Sequence, residues 1–322
     1  MTIKRWKVGL GVVAAVSVAA VIAGRVLTSR WARNPDPLEG QAVAFPPADE
    51  RRVELPDGAT IATFTLGEGP TIVCVHGLTG SHNDWGPMIP GLVAAGYRIV
   101  AIDQRGHGDS TSGTAGYGSA QLGRDLHDVV EELDIVAIAM MGHSMGGMAA
   151  MAYAVDHVVD FNKRVGSLIL LGTAASLKMR GSAAAFRASR TQIPGWLKPS
   201  NRRLRIGAGL SVFGASPSLH MIDQAIVSAS RLPESVRAAA TFALGDHHVL
   251  DRLEQVRCPA LVVGGMRDRL IRPWQVRQLA EAIPNAELRM LPKAGHMLIW
   301  ERHAELVAEV TAFLLGKFPD QN

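Results

Sequence analysis

The stretch "MGHSMGGM", residues 141–148, puts a serine between two glycines directly after the apolar run "IVAIAM". A strand that bends sharply into a helix holds the residue at the bend in a conformation costing about 1–3 kcal/mol, and neighbours with a β-carbon collide there. Gly142 and Gly146 remove those collisions. The pattern predicts a strand, an elbow and a helix. Ser144 then projects its hydroxyl at the carboxyl end of a sheet, and the amide of Met145 opens the helix with the positive end of its dipole behind it. G-x-S-x-G alone also occurs in strand-to-helix turns whose serine is incidental. Its setting, after a β-rich apolar run and before the helical "MAAMAYAV", favours the elbow.

Outward from the elbow the chain alternates. "TIVCVHG" (71–77), "YRIVAID" (97–103), "IVAIAMMG" (135–142), "SLILLG" (167–172), "PALVVGG" (259–265) and "AELRMLP" (286–292) read as short strands buried on both faces. Helical patterns lie between several of them, at 119–133 with Leu122, Leu126, Val129 and Val130 on one stripe, and at 274–283 after Pro273. Strand and helix in repeated alternation predict an α/β fold with a doubly wound, mostly parallel sheet. "RRVEL" and "ATIATFTLG", joined by "PDG", predict an antiparallel hairpin at its edge. The alternation breaks once, over the 86 residues between Gly172 and Pro259, too long for a structureless loop. Within it "GSAAAFRASRTQI", "SLHMIDQAIVSASRL" and "PESVRAAATFALG" read as helices, so an inserted helical cap is expected over 175–250, dividing a core of 51–174 and 251–322. The cap holds ten Lys or Arg against three Asp or Glu.

The N-terminus is of another kind. Three positive charges in "MTIKRWK" precede "VGLGVVAAVSVAAVIAG" (8–24), 17 residues without a charge. At about 1.5 Å per residue that length barely crosses a hydrocarbon core of about 30 Å. A short membrane anchor within residues 1–34 is the favoured reading, with a cleaved signal peptide or an amphipathic or buried helix as alternatives. "NPDPLEG" and "FPPADE" then read as a linker over 35–50. Elsewhere 33 Lys and Arg against 29 Asp and Glu give a net charge of +4 with the basic residues scattered, which is no nucleic-acid footprint. Two cysteines without ligand-like neighbours indicate neither a disulfide framework nor a metal site.

A serine hydroxyl needs a base, and the base an orienting acid. "GGMRDRLI" places Asp268 just past one predicted strand and "LPKAGHML" places His296 just past the next, in the order Ser144, Asp268, His296 and each at a carboxyl strand end. Taken singly, the aspartate also reads as an ion-pair partner of Arg267 or Arg269 and the histidine as a plain loop residue; the shared order favours a triad. Acyl transfer also needs donors for a developing oxyanion. "VHGLTGSHNDW" follows the first parallel strand, and its His76-Gly77 pair permits a turn that aims the Leu78 amide inward. Leu78 and Met145 are the expected backbone donors.

Together "HGLTG", "DQRGHGDS", "GHSMGG", the Asp268 loop and "AGHM" resemble the α/β-hydrolase superfamily over roughly residues 51–316, in its capped esterase, lipase and C–C hydrolase branch; "GHSMGG" is similar to monoacylglycerol lipases. Epoxide hydrolases and haloalkane dehalogenases of this fold carry Asp at the elbow, so Ser144 argues against both. The resemblance implies that "DQRGHGDS" is a structural loop, which keeps Asp103, Arg105, His107 and Asp109 out of the catalytic set. His143 is expected to pack at the elbow; His82, His247 and His248 are loop histidines, with contact to substrate the alternative. The implied sheet order puts two strands between that of Cys74 and the one following Cys258, about 14 Å at about 4.8 Å per spacing, so both are expected as free thiols. The implied activity is hydrolysis of a small-molecule or lipid ester through an acyl-enzyme, without cofactor or metal. The same triad also serves C–C hydrolysis or cofactor-free perhydrolysis, and a non-catalytic binding module is a third class. Phe186, Trp196, Leu210, Phe213 and Met221 of the cap either line an acyl pocket or form the cap's own core.

Overall fold

In the computed structural model residues 24–41, 43–177 and 202–317 are described. Most of the apolar stretch 8–24 and the helix expected from "GSAAAFRASRTQI", with Phe186 and Trp196, lie outside them. Among the described residues no helix is long and apolar enough to cross a membrane.

Eight strands form one sheet: β1 (Asp49–Glu54), β2 (Thr60–Leu66), β3 (Thr71–Val75), β4 (Arg98–Ile102), β5 (Ile138–His143), β6 (Val165–Leu171), β7 (Ala260–Gly265) and β8 (Ala286–Leu291). Their order is β1-β2-β4-β3-β5-β6-β7-β8, with β1–β2 and β2–β4 antiparallel and every later pair parallel. The parallel strands in the middle are apolar at nearly every position because helices cover both faces. All of "TIVCV" in β3, "IAMMGH" in β5 and "ALVVGG" in β7 is buried, whereas edge strand β8 alternates. The hairpin sits at the edge and begins at Asp49.

One face carries α2 (Ser119–Glu132), α3 (Met145–Asp156), α4 (Val158–Arg164) and α8 (Pro273–Ala282); the other carries α1 (Ile89–Ala94), α9 (Leu298–Glu301) and α10 (His303–Leu314). Leu122, Leu126, Val129 and Val130 form the buried stripe of α2 and pack against α3. Each such side chain contributes about 1.5–3 kcal/mol by leaving water. α3 shows almost no amphipathic contrast because it is enclosed on all sides: ten of its first eleven residues are apolar or glycine, and all eleven are buried. The free thiols Cys74 and Cys258 lie at strands separated by β5 and β6.

The cap contributes α5 (Arg202–Ser211), α6 (Leu219–Arg231) and α7 (Glu234–Leu244). The last two match the sequence reading, while α5 falls where no helix was read. Phe213 and Met221, each 1% exposed, belong to the apolar core beneath the cap, and Leu210 is exposed. The linker reading of 35–50 needs correction. Residues 24–31 are helical, and Trp31 and Leu38 are buried in the same core as Ile206, Ala208 and Leu219 of the cap. Asp36 accepts from Ser218 Oγ at 3.0 Å and His220 Nδ1 at 2.7 Å, and Asn34 Nδ2 donates to the Pro217 carbonyl at 2.7 Å. The prolines and polar residues that suggest a free linker here shape a strap that buries Leu38.

Candidate active site

β5 ends at His143 and α3 begins at Met145, so Ser144 alone makes the bend, with φ 52° and ψ −116°. An L-residue in that region is strained and persists only when its surroundings hold it. Here Ser144 N donates to the Leu171 carbonyl of β6 at 2.9 Å, and the Ser144 carbonyl accepts from Thr173 Oγ1 at 2.8 Å and Met148 N at 3.1 Å. A β-carbon on Gly146 would run into the carbonyl oxygens of Val75 and His76, so the helix can start this close to β3 only with glycine there. Gly142 is the matching close approach on the strand side of the elbow.

Ser144, Asp268 and His296 come together. His296 Nε2 lies 2.9 Å from Ser144 Oγ, and His296 Nδ1 lies 2.9 Å from Asp268 Oδ2. The Asp268 carboxylate follows β7 and is 2% exposed; its Oδ1 accepts from the backbone N–H groups of Leu270 (2.8 Å) and Ile271 (2.9 Å). With Nδ1–H donated to the carboxylate, Nε2 is left as the acceptor for the serine hydroxyl proton. The loop carrying His296 is held from two sides. Its carbonyl accepts from His143 Nε2 at 2.9 Å, and its N–H donates to the Val212 carbonyl of the cap at 2.8 Å. Burial, with His296 adding to it, lowers the His143 pKa to about 3, so that imidazole is neutral and acts as a strut beside the elbow.

The two expected oxyanion donors are aimed by their own carbonyl partners. His76 Nε2 accepts from Gln104 N at 3.0 Å, which puts the proton on Nδ1, and Nδ1–H donates to the Gly77 carbonyl at 2.7 Å. Gly80 N donates to the same oxygen at 3.1 Å. In a trans peptide the N–H points opposite the C=O, so pinning Gly77 O turns the Leu78 N–H the other way. Thr173 and Met148 pin Ser144 O in the same manner and aim the Met145 N–H. Among the described residues neither N–H has an acceptor within the protein. Leu78, Met145, Ser144 and His296 all line one cavity of about 830 Å³, with Met148, Val212, Leu244 and Trp300 giving it an apolar wall and Arg231, Glu234 and Arg237 of the cap a polar one.

The "DQRGHGDS" loop contributes no side chain to that cavity. Arg105 is fully buried and gives Nε and Nη2 to the two oxygens of Asp125 at 2.5 and 2.6 Å, and Nη1 to Asp57 at 2.8 Å. Asp103 accepts from His82 N, His82 Nδ1 and Asp109 N at 2.6–2.9 Å. Burial would raise its pKa, but His82 and the other donors hold it below the usual carboxylate value. His82, Asp103 and Asp109 have a metal-like spacing, yet His82 Nδ1 and the Asp103 carboxylate already serve each other. His82 also stacks on Phe64, and His247 bonds Ser119 Oγ and the Ala174 carbonyl, so neither faces the cavity; His248 pairs with Asp251.

A model of the alpha/beta hydrolase fold matches residues 70–303. The chain belongs to this family. A relative from Cupriavidus pinatubonensis named 2-hydroxy-6-oxononadienedioate/2-hydroxy-6-oxononatrienedioate hydrolase is 29% identical over 284 residues, 83% of this chain and 95% of that one. The non-heme chloroperoxidase CPO-A1 of Kitasatospora aureofaciens is 27% identical and matches 74% of this chain and 90% of its own. Among solved structures, an esterase from Exiguobacterium antarcticum superposes with a TM-score of 0.75 at 20% identity over 83% of this chain and all of that one, a likeness of fold.

Three groups of this hydrolase carry no sequence signal. Thr173 reaches Ser144 O from the turn after β6. Glu301 accepts from Gly214 N (2.8 Å) and Gly295 N (2.9 Å), tying the cap to the residue before His296. Burial raises its pKa to about 7. Asp84 stands in the cavity wall beside the oxyanion loop.

Proposed function

We propose that this alpha/beta hydrolase cleaves carboxylic esters, with Ser144 as nucleophile, His296 as general base and acid, and Asp268 as the group that orients the imidazole. The single observation that carries the reading is the Ser144 Oγ–His296 Nε2 distance of 2.9 Å, continued by 2.9 Å to Asp268. Ser144 Oγ attacks the ester carbonyl carbon as its proton passes to His296 Nε2. The oxygen of the tetrahedral intermediate carries the negative charge against the Leu78 and Met145 N–H groups. The intermediate collapses, the C–O bond to the alcohol breaks, and that alkoxide leaves with the proton from His296. Water then gives its proton to His296, attacks the acyl-enzyme and releases the carboxylic acid, with the proton returned to Ser144. The apolar wall of the cavity suits an acyl chain, and the uncharged N-terminal stretch is assigned to tethering the enzyme at a membrane. A second reading, C–C bond hydrolysis with the same three side chains, is favoured by the likeness to the Cupriavidus 2-hydroxy-6-oxononadienedioate/2-hydroxy-6-oxononatrienedioate hydrolase.

The test is hydrolysis of a series of p-nitrophenyl esters against a vinylogous diketone. Ester turnover that falls at least ~10⁴-fold in Ser144→Ala supports the proposal. A folded enzyme that spares every ester and cleaves the diketone replaces it with the second reading.

A further inference from the structure

The cavity wall contains a buried acid that the ester reading leaves without a task. Asp84 lies in the 3₁₀ turn His82–Trp85, whose main chain is fixed by Trp300 Nε1 donating to the Asp84 carbonyl at 2.9 Å. The residue is only 5% exposed, yet it lines the cavity beside Gly77, Leu78, Thr79 and Trp300. No side chain among the described residues hydrogen-bonds its carboxyl; the Ser81 N–H is the one donor turned toward it. Its Oδ2 packs directly against the Gly80 α-carbon. Gly80 is two residues from Leu78, a span of at most about 7 Å, so the carboxyl stands close to the expected oxyanion donor. A buried acid without a side-chain partner is costly and is retained where a ligand completes its hydrogen bonds.

We infer that Asp84 is a specificity-determining residue that hydrogen-bonds a second oxygen of the substrate, so that the preferred esters carry a further carbonyl within a few carbons of the scissile one. The inference rests on the ester reading and narrows its substrate class. Burial and the neighbouring Asp103 carboxylate push the Asp84 pKa up to about 8, so at neutral pH the group carries its proton and donates. A carbonyl oxygen, an acceptor only, is the matching partner.

The experiment is calorimetric titration of the full chain at pH 7 with methyl hexanoate and its 3-, 4- and 5-oxo derivatives, in a Ser144→Ala background so that nothing is turned over. One oxo ester should bind about 10-fold more tightly than methyl hexanoate. Asp84→Asn, whose amide also donates, should keep that preference, and Asp84→Leu should bring the ratio near one. Asp84→Ala replaces the leucine variant if the latter does not fold. Equal binding of all four esters, or a preference unchanged in the leucine or alanine variant, overturns the inference. Because binding is read without chemistry, a wild-type enzyme inert to esters refutes the ester reading separately.

Discussion

Replacing Thr173 by valine keeps the shape of the side chain and removes one hydrogen bond, Thr173 Oγ1 to the Ser144 carbonyl at 2.8 Å. That oxygen still accepts from Met148 N, so it is not orphaned, and the stability cost is that of one neutral hydrogen bond, about 1 kcal/mol. In a chain this long the melting temperature falls by about 2–4 °C. The effect on rate should be larger than that cost suggests. Losing an oxyanion donor outright costs about 10²- to 10³-fold, or about 2.7–4 kcal/mol of barrier. The variant frees one of the two bonds that aim the Met145 N–H. A loss of on the order of half that barrier corresponds to a kcat about 10- to 30-fold lower, with KM little changed because the donor acts mainly on the transition state. Steady-state hydrolysis of p-nitrophenyl butyrate reads both constants, and calorimetry reads the melting temperature. Thr173→Ser, which keeps the hydroxyl, should stay within about 3-fold of the wild type. A valine variant with unchanged kcat and a lowered melting temperature refutes the pinned-carbonyl account of the oxyanion site.

Three further outcomes are expected. Burial raises the pKa values of Glu301 and Asp84 to about 7 and about 8, well above the ordinary carboxylate range, so the folded chain holds these protons more tightly than the unfolded one. Their contribution to stability is therefore complete below about pH 4 and is lost as pH rises toward 7 and 8; melting curves from pH 5 to 8 should fall less steeply in Glu301→Gln and in Asp84→Asn, and an unchanged slope in both contradicts the assignment. Gly146→Ala forces a β-carbon into the Val75 and His76 carbonyls, with an expected cost of about 1–3 kcal/mol measured by thermal melting; a variant as stable as the wild type refutes the close approach of α3 to β3. Deleting residues 2–23 should move the enzyme from the membrane to the soluble fraction of lysed cells, and a full chain found only in the soluble fraction counts against tethering.

The parts of the site readable in the sequence are those set by local backbone constraints. The elbow needs small residues on both sides of Ser144, and the acid and base must follow particular strands, so spacing and chain order disclose them. The sheet is readable for the same reason, since its central strands are apolar on both faces. α5 is not, because "RRLRIGAGLS" has two glycines and no clear stripe. It is helical through tertiary packing: Gly209 lets the Trp31 ring and Ile222 approach the backbone. The stretch 35–50 misleads for the opposite reason, having the prolines and charges of a linker while burying Leu38. Asp84, Glu301 and Thr173 are invisible because a carboxyl's burial and a hydroxyl's partner depend on which distant segments fold over them. In the sequence each is one more polar residue.

The most direct test of the central claim is to quench the enzyme during turnover of a p-nitrophenyl ester at acid pH and map the covalent adduct by peptide mass spectrometry. The account predicts one acyl group, on Ser144, absent in His296→Ala. An acyl group on another residue, or none on a folded enzyme that is turning the ester over, contradicts it.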